Sequence, residues 1–254
     1  MTRRIVILTG ASRGLGLAMA GQLLAADTQL LTLSRHPADA LQGQAAAAGA
    51  GLTQWAVDLA GAVALVDRLA GWLQRHAPTP GEPPPAVRLI HNAALLTPPG
   101  PADDLPAADL AAALRVGLEA PLVLSAAFLR VTRDWGGDRR LLFISSGLGR
   151  RAMAGSAAYC AIKAGMDHLA RALALDEAAH AAGARVVSLA PGVIDTDMQR
   201  QLRGADPRRF SEQGRFAEMH RSGTLDSPAT AAAKVLRKLE RDDFGTEPIA
   251  DVRD

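Results

Sequence analysis

The chain has 254 residues, 48% of them hydrophobic and only 4% aromatic, and it carries a net charge of +2. This composition supports a full core of aliphatic side chains, and the small net charge argues against a nucleic-acid footprint. The one cysteine, Cys160, excludes an intrachain disulfide and favours a reducing compartment. We find no signal-peptide pattern and expect no apolar run of membrane-spanning length. We therefore expect a cytoplasmic protein without nucleic-acid or membrane partners.

Short apolar runs alternate with longer, alanine-rich helical patterns along the chain. The apolar runs predict strands at 4–8, 29–33, 52–57, 87–91, 141–145 and 185–189. Helices are predicted at 14–25, 38–48, 62–75, 109–132, 157–182 and 227–240. Because the predicted strands are nearly all apolar, they should be buried on both faces. The alternation predicts an α/β fold: a single doubly wound Rossmann domain over residues 1–254, with a parallel sheet flanked by helices on both faces.

Residues 195–226 break this alternation, because they are polar, contain glycine and proline, and offer only short helices. Leu202, Phe210, Phe216 and Met219 nevertheless give the segment side chains to bury. We therefore predict a packed substrate lid at about 195–226 rather than a disordered loop.

A glycine-rich turn, TGASRGLG, follows the first predicted strand and opens a helix. Gly10, Gly14 and Gly16 allow the backbone to turn tightly and to approach a pyrophosphate, and the helix N-terminus offers free N–H groups to it. The spacing is G-x-x-x-G-x-G rather than the commoner G-x-G-x-x-G. At the first strand-to-helix turn of an α/β chain, it predicts a dinucleotide site.

The end of the second strand carries Ser34 and Arg35, where NAD-binding folds usually have an acidic residue for the ribose 2′-hydroxyl. Arg13, inside the glycine turn, adds a second cation. Two guanidinium groups without a carboxylate suit a 2′-phosphate, so NADP(H) is predicted over NAD(H). The alternative is that both arginines are simply exposed.

Further motifs follow in order: Asp58-Leu59 after the third strand, HNAA at 91–94 after the fourth, Ser146 with Tyr159 and Lys163, and PGVIDT at 191–196. With the glycine turn, this order and spacing resemble the short-chain dehydrogenase/reductase family over essentially the whole chain. The resemblance implies an oxidoreductase whose cofactor is contacted by Gly10, Ser12, Arg13, Gly14, Leu15, Gly16, Ser34, Arg35, Asp58, Leu59, Asn92, Ala93, Ala94, Tyr159, Lys163, Pro191, Gly192, Val193 and Thr196.

The reaction can also be argued from the residues themselves. Hydride transfer to a carbonyl carbon leaves an oxygen that needs a proton, and Tyr159, the chain's one tyrosine, can donate it. Lys163 lies one turn along the same helix face, where its ammonium, together with the positive nicotinamide of the oxidised cofactor, should lower the phenol pKa from about 10. Ser146 can hold the substrate oxygen. A surface tyrosine–lysine pair is the alternative, which the aligned cofactor motifs disfavour.

The C-terminal third is most similar to sepiapterin reductases and bacterial benzil-type diketone reductases. In the former an aspartate near the C-terminus anchors the substrate, and Asp251 occupies the matching place, although acidic tails also occur without a function. The resemblance further implies a homodimer or homotetramer formed through the predicted helices 109–132 and 157–182. His91 is expected near the cofactor without a catalytic role.

The family commonly has an asparagine in the helix after the fourth strand, and this chain has Gly117 there. That asparagine holds a water that links the lysine to solvent. A glycine should permit the same helix kink and leave room for a water held by backbone groups alone.

The predicted function is that of an NADPH-dependent carbonyl reductase acting on a small-molecule ketone or dicarbonyl. An NADP-dependent alcohol dehydrogenase or 3-oxoacyl-type reductase is the alternative within the same class. A non-catalytic NADP-binding regulator is the alternative from another class, favoured only by Gly117. The six histidines show no metal-ligand spacing, so no metal is expected.

Overall fold

In the computed structural model, which describes residues 3–254, seven parallel strands form one sheet in the order β3-β2-β1-β4-β5-β6-β7. The strands are Arg4–Thr9 (β1), Thr28–Ser34 (β2), Gly51–Ala56 (β3), Ala86–His91 (β4), Arg139–Ile144 (β5), Arg185–Ala190 (β6) and Ile249–Asp251 (β7). The direction of winding reverses between β1 and β4, which opens a crevice at the carboxyl ends of these two strands. The predicted fold class is confirmed.

Helices cover both faces of this sheet. They are Gly14–Leu23 (α1), Asp39–Ala48 (α2), Val66–Arg75 (α3), Ala107–Leu114 (α4), Ala120–Thr132 (α5), Ala157–Ala178 (α6), Asp197–Arg203 (α7), Gln213–Arg221 (α8) and Pro228–Leu239 (α9). A 3₁₀ turn at Leu59–Leu65 precedes α3, and shorter ones lie at Ala102–Asp104 and Gly147–Gly149. Ser227 is the N-cap of the last helix, since its hydroxyl accepts from the Thr230 N–H at 3.1 Å.

The two faces of β1 illustrate how the core is divided. Ile5 and Ile7 point to the side covered by α3, α5 and α6, whereas Val6 and Leu8 point to the side covered by α1 and α9. All four side chains are fully buried, and each stabilises the fold by about 1.5–3 kcal/mol relative to an exposed position. Both faces of the sheet are therefore apolar, as the sequence predicted.

The amino-terminal ends of the central strands depart from this prediction, because three arginines are buried there: Arg88, Arg139 and Arg140. The Arg88 guanidinium bonds Asp138 at 2.7 Å and Glu240 at 2.9 Å, so these charges are paired rather than solvated. Removing one partner of a buried ion pair destabilises the fold, so this cluster of ion pairs holds the sheet to the end of α9. It lies at the edge opposite the crevice.

The seventh strand was missed by the sequence analysis, because three residues are too few to show a periodic pattern. It pairs with β6 so that Asp251 lies opposite Ala190. This pairing brings the end of the chain to the carboxyl edge of the sheet, beside the crevice.

The segment 195–226 is packed, as predicted. Phe210 is fully buried and its ring lies 5.7 Å from that of Phe216, while Leu202 and Met153 complete an apolar cluster. An isolated parallel bridge between Ile194 and Asp226 joins the two ends of the segment. Its action as a lid over substrate stays a prediction.

Residues Ala107–Thr132 form one 26-residue helical stretch that is long and apolar enough to cross a membrane by length and composition alone. The expectation that no apolar stretch reaches that length is therefore wrong. Half of its most apolar window is buried in the protein, which is also typical of a core helix. The stretch consists of α4, a π-turn and α5 in succession.

The π-turn, Arg115–Glu119, is the kink that the sequence predicted around Gly117. The space beside the glycine is not open, however. A Cβ at position 117 would lie 2.5 Å from Cγ2 of Ile162 on α6. The predicted room for a water is therefore taken up by an isoleucine, and Gly117 serves close packing between two helices.

Gly117→Ala should destabilise the protein, although alanine is the better helix former. The added methyl would overlap Ile162, and such overpacking costs about 1–3 kcal/mol against ~1 kcal/mol gained in helix propensity. The free energies of unfolding of G117A, I162A and the double variant can be measured by chemical denaturation. The double variant should be more stable than the sum of the two single effects predicts. The matched control is Gly43→Ala in α2, where nothing lies within 4 Å of the new methyl. Equal stabilities of G117A and G43A would contradict the packing argument.

Candidate active site

A cleft of about 950 Å³ opens at the carboxyl edge of the sheet. The structure brings every residue predicted for catalysis, cofactor or substrate binding into its lining, including Asp251 from the far end of the chain. The predicted residues come from the ends of β1 to β7 and from α6, so the parallel sheet is what gathers them.

The glycine turn forms one wall of this cleft. Gly10 has a φ of 73°, and a Cβ there would lie 2.8 Å from Cα of Ala93. A Cβ on Gly16 would lie 2.0 Å from the carbonyl oxygen of Gly10. Only glycine fits at both positions, and the turn leads directly into the free N–H groups at the start of α1. This cradle fits the pyrophosphate of a dinucleotide.

Asn92, predicted to back the cofactor, holds the turn in place. Its Nδ2 donates to the carbonyl oxygens of Thr9 at 3.1 Å and Gly10 at 3.0 Å. The Thr9 hydroxyl in turn accepts from the backbone N–H groups of Asn92 and Ala93. Thr9 was missed by the sequence analysis, because a threonine that ends a strand carries no distinctive pattern.

The adenosine end of the cleft carries the predicted basic residues. Arg35 is exposed, and Arg13 pairs with Asp197 of α7 at 3.0 Å across the cleft. The Ser34 hydroxyl accepts from the Ala11 N–H at 2.8 Å, so it supports the turn from below. Asp58 caps the 3₁₀ turn through the N–H of Ala60 at 2.9 Å.

Ser146 and Tyr159 both line the cleft, and the Ser146 hydroxyl accepts from the Leu148 N–H at 3.2 Å. Burial raises the pKa of Tyr159 to about 12, although the nearby Ser146 hydroxyl opposes this. In the protein alone the phenol pKa is therefore raised, and its lowering beside Lys163 and an oxidised nicotinamide stays a prediction. The physical reason for the raised pKa is that desolvation penalises the phenolate. Within residues 3–254 the Lys163 ammonium donates to the Ile144 carbonyl rather than to the phenol oxygen.

Lys163 lies behind the phenol rather than beside its oxygen. Its Nζ is 5.5 Å from the centre of the Tyr159 ring and donates to the carbonyl oxygen of Ile144 at 2.6 Å. Burial lowers the pKa of Lys163 to about 8, and the nearby Asp167 carboxylate opposes that change. The ammonium thus remains the charged form up to mildly alkaline pH.

The part of the cleft predicted to hold substrate is mostly apolar, and its wall includes Leu96, Leu148, Met153, Met198, Leu202, Phe216 and Met219. Asp251 is buried there and accepts two bonds from the Arg253 guanidinium, at 2.7 and 2.6 Å. Arg253 also holds the pKa of Asp251 below its ordinary value, so the carboxylate stays ionised. Gln199, missed in sequence, is buried in the same wall, and its Oε1 has no hydrogen-bond partner within residues 3–254.

His91 does not line the cleft itself, although the next residue, Asn92, does, so His91 lies near the predicted cofactor site without facing it. Its Nε2 lies 2.9 Å from the Ser125 hydroxyl, and its ring stacks on Phe143 with centroids 5.0 Å apart. Burial lowers the pKa of His91 to about 3, so the ring is neutral. It is a core residue that joins β4 to α5.

Comparisons with known proteins agree with this geometry. A family model described as short chain dehydrogenase matches residues 4–207. The benzil reductase ((S)-benzoin forming) of Bacillus cereus is 30% identical over 95% of this chain and 96% of its own length. Sepiapterin reductase of Mus musculus is 32% identical over 94% of this chain and 93% of its own. A solved short-chain dehydrogenase/reductase from Burkholderia vietnamiensis is 36% identical over 99% of this chain and 98% of its own, with a TM-score of 0.65.

The matched family segment runs from β1 past the end of α7 and includes the glycine turn, Ser146, Tyr159 and Lys163. Both curated relatives match along nearly their whole length at 30% identity or more. The chain therefore belongs to the short-chain dehydrogenase family, a family of oxidoreductases that use a nicotinamide cofactor.

Proposed function

We propose that this protein is an NADPH-dependent carbonyl reductase that transfers hydride to a small ketone or dicarbonyl. The observation that carries the proposal is the cleft itself, in which Ser146, Tyr159 and Lys163 share one lining with the glycine cradle. A binding-only protein has no need of a half-buried phenol and a serine hydroxyl in one cleft with a buried ammonium behind the phenol ring.

The cofactor would be held by the glycine turn, Asp58, Asn92 and the segment 191–196. When bound, the reduced nicotinamide supplies a hydride to the carbonyl carbon. Tyr159 gives its proton to the carbonyl oxygen, and its raised pKa keeps that proton available across the physiological range. Ser146 donates to the same oxygen as negative charge develops. The Lys163 ammonium stabilises the phenolate that remains on Tyr159.

The choice of NADPH is supported by Arg13 and Arg35 at the adenosine end. Both arginines line the cleft, and residues 34–37 (SRHP) at the end of β2 contain no carboxylate. A guanidinium suits a phosphate through paired hydrogen bonds. Arg13 would exchange or share its ion pair with Asp197 when the 2′-phosphate binds.

The substrate class is supported by the apolar wall and by the relatives, which are named for reducing benzil and sepiapterin. Asp251 is already engaged by Arg253, so a basic pterin group would have to compete with an intramolecular ion pair. An uncharged diketone meets no such competition. We therefore favour a diketone over a pterin as substrate.

We also propose a homodimer or homotetramer through α4, α5 and α6. Leu114, Leu122 and Leu175 are exposed on these helices, and large exposed apolar side chains on neighbouring helices are typical of a protein–protein interface.

The direct test follows NADPH oxidation with a 1,2-diketone, sepiapterin, an acetoacetyl thioester and a simple aldehyde. We expect the diketone to give the highest kcat/KM. Tyr159→Phe should lower kcat by about 100-fold or more while NADPH still binds, because it loses only the proton donor. Binding of NADPH without turnover of any of these carbonyls would favour the regulator instead.

The cofactor preference is tested by titrating NADPH and NADH against the protein. NADPH should bind at least about tenfold tighter, which corresponds to ~1.4 kcal/mol. Arg13→Gln and Arg35→Gln should each reduce this preference. Arg208→Gln, at an exposed arginine paired with Asp206, is the matched control and should leave it unchanged. Equal affinities for the two cofactors in the natural protein would refute the role of both arginines.

The pH dependence of carbonyl reduction should report Lys163. Its pKa is about 8, so the ammonium is present below that pH and is lost as the pH rises through it. We expect kcat/KM to fall about tenfold for each pH unit above the Lys163 pKa, because the positive charge behind Tyr159 is lost. A pH–rate profile that stays flat to about pH 10, close to an ordinary lysine pKa, would contradict this assignment.

A further inference from the structure

A buried carboxylate, Asp167, lies one helical turn beyond Lys163 on α6 and is only 1% exposed. Its Oδ1 accepts from the Ser145 hydroxyl at 2.5 Å and from the Ser188 hydroxyl at 2.7 Å. Ser145 immediately precedes Ser146, and Ser188 lies in β6. One carboxylate oxygen therefore ties α6 to two neighbouring strands beneath the cleft.

The second oxygen of Asp167 faces a cation. Oδ2 has no hydrogen-bond donor in the described chain, but it lies 3.5 Å from Nε of Arg150. Arg150 donates to the Ala250 carbonyl at 2.7 Å, and its Nη1 is 4.0 Å from Oδ2 of Asp251. The guanidinium thus connects the carboxylate behind Lys163 with the carboxylate in the substrate pocket.

We propose that Asp167 is a positioning residue for carbonyl reduction, which holds the Ser145–Ser146 strand end and keeps Lys163 charged, with Arg150 as its counter-ion. The inference rests on the proposed function, since it assigns a role in that reaction. Asp167 does not touch substrate and acts only through its neighbours.

The charge balance around Lys163 gives this role its physical basis. On its own helix Lys163 lies four residues from Tyr159 and from Asp167, and three from Cys160. Arg150 approaches Asp167 from the segment after β5, and the Ile144 carbonyl of β5 accepts from the Lys163 ammonium. Burial lowers the Lys163 pKa, and the Asp167 carboxylate raises it again. Without that carboxylate, a neutral lysine would become the favoured form at lower pH.

A purely structural role predicts something different. A carboxylate that only joins strands would affect the free energy of unfolding, and its loss would let water reach Lys163. Hydration would move the Lys163 pKa upward, towards its ordinary value. The sign of the change therefore separates the two roles.

The test is an NMR titration of lysine-labelled protein, which needs no enzyme activity. The chain has three lysines, at 163, 234 and 238, so Lys163→Arg assigns the signal of interest. Asp167→Asn should lower the Lys163 pKa by about 1, because an opposite charge is removed at similar side-chain volume. Arg150→Gln should raise it, because a cation is removed.

Glu177→Gln is the matched control. Glu177 is a buried carboxylate on the same helix, paired with Arg133 at 2.7 Å and Arg139 at 3.4 Å, far from the cleft. This variant should lose stability and leave the Lys163 pKa unchanged. In the activity arm, the alkaline limb of kcat/KM for diketone reduction should move to lower pH in D167N and stay in place in E177Q.

Opposite changes in D167N and R150Q would support the proposal, and an unchanged or raised Lys163 pKa in D167N would overturn it. If D167N does not fold, R150Q decides, because an unchanged or lowered pKa there would equally overturn the proposal. A natural protein that turns over no carbonyl would refute the proposed function. The NMR titration would still test the charge coupling in that case.

Discussion

The contact between the glycine turn after β1 and the residues after β4 is the constraint on which the rest of this site depends. Gly10 approaches Ala93 so closely that no side chain fits between them, and Asn92 fastens the turn through two carbonyl groups. These strands are neighbours only because the winding order reverses there. The same reversal opens the crevice into which α6 projects its side chains.

The sheet, the glycine cradle and the grouping of Ser146, Tyr159 and Lys163 could be predicted, because each depends on a local sequence pattern. Apolar runs report burial, glycine spacing reports backbone approach, and a four-residue interval places Tyr159 and Lys163 on one helix face. Continuing that interval reaches Asp167, which was the one available signal for it. An aspartate in a helix is ordinarily predicted to be exposed to solvent. Asp167 is buried because strands pack against α6 at this position.

Other features depend on partners far away in sequence. The seventh strand exists because β6 offers an unpaired edge, not because residues 249–251 favour an extended backbone. The space beside Gly117 is filled by Ile162, 45 positions along the chain. The glycine therefore allows close packing of two helices rather than leaving a cavity. The direction of the Tyr159 pKa could not be read from Lys163 either, because burial outweighs a cation that faces the ring rather than the oxygen.

The two shifted pKa values fit the proposed direction of the reaction, which is carbonyl reduction. Carbonyl reduction needs a protonated phenol at the start, which burial ensures, and a cation at the end, which burial opposes. Desolvation alone would keep the Tyr159 phenol protonated but would also favour neutral Lys163. A carboxylate placed one turn beyond Lys163, away from Tyr159, restores the cation without adding negative charge beside the phenol. The four-residue spacing of Tyr159, Lys163 and Asp167 therefore allows one face of α6 to favour both a protonated phenol and a charged lysine.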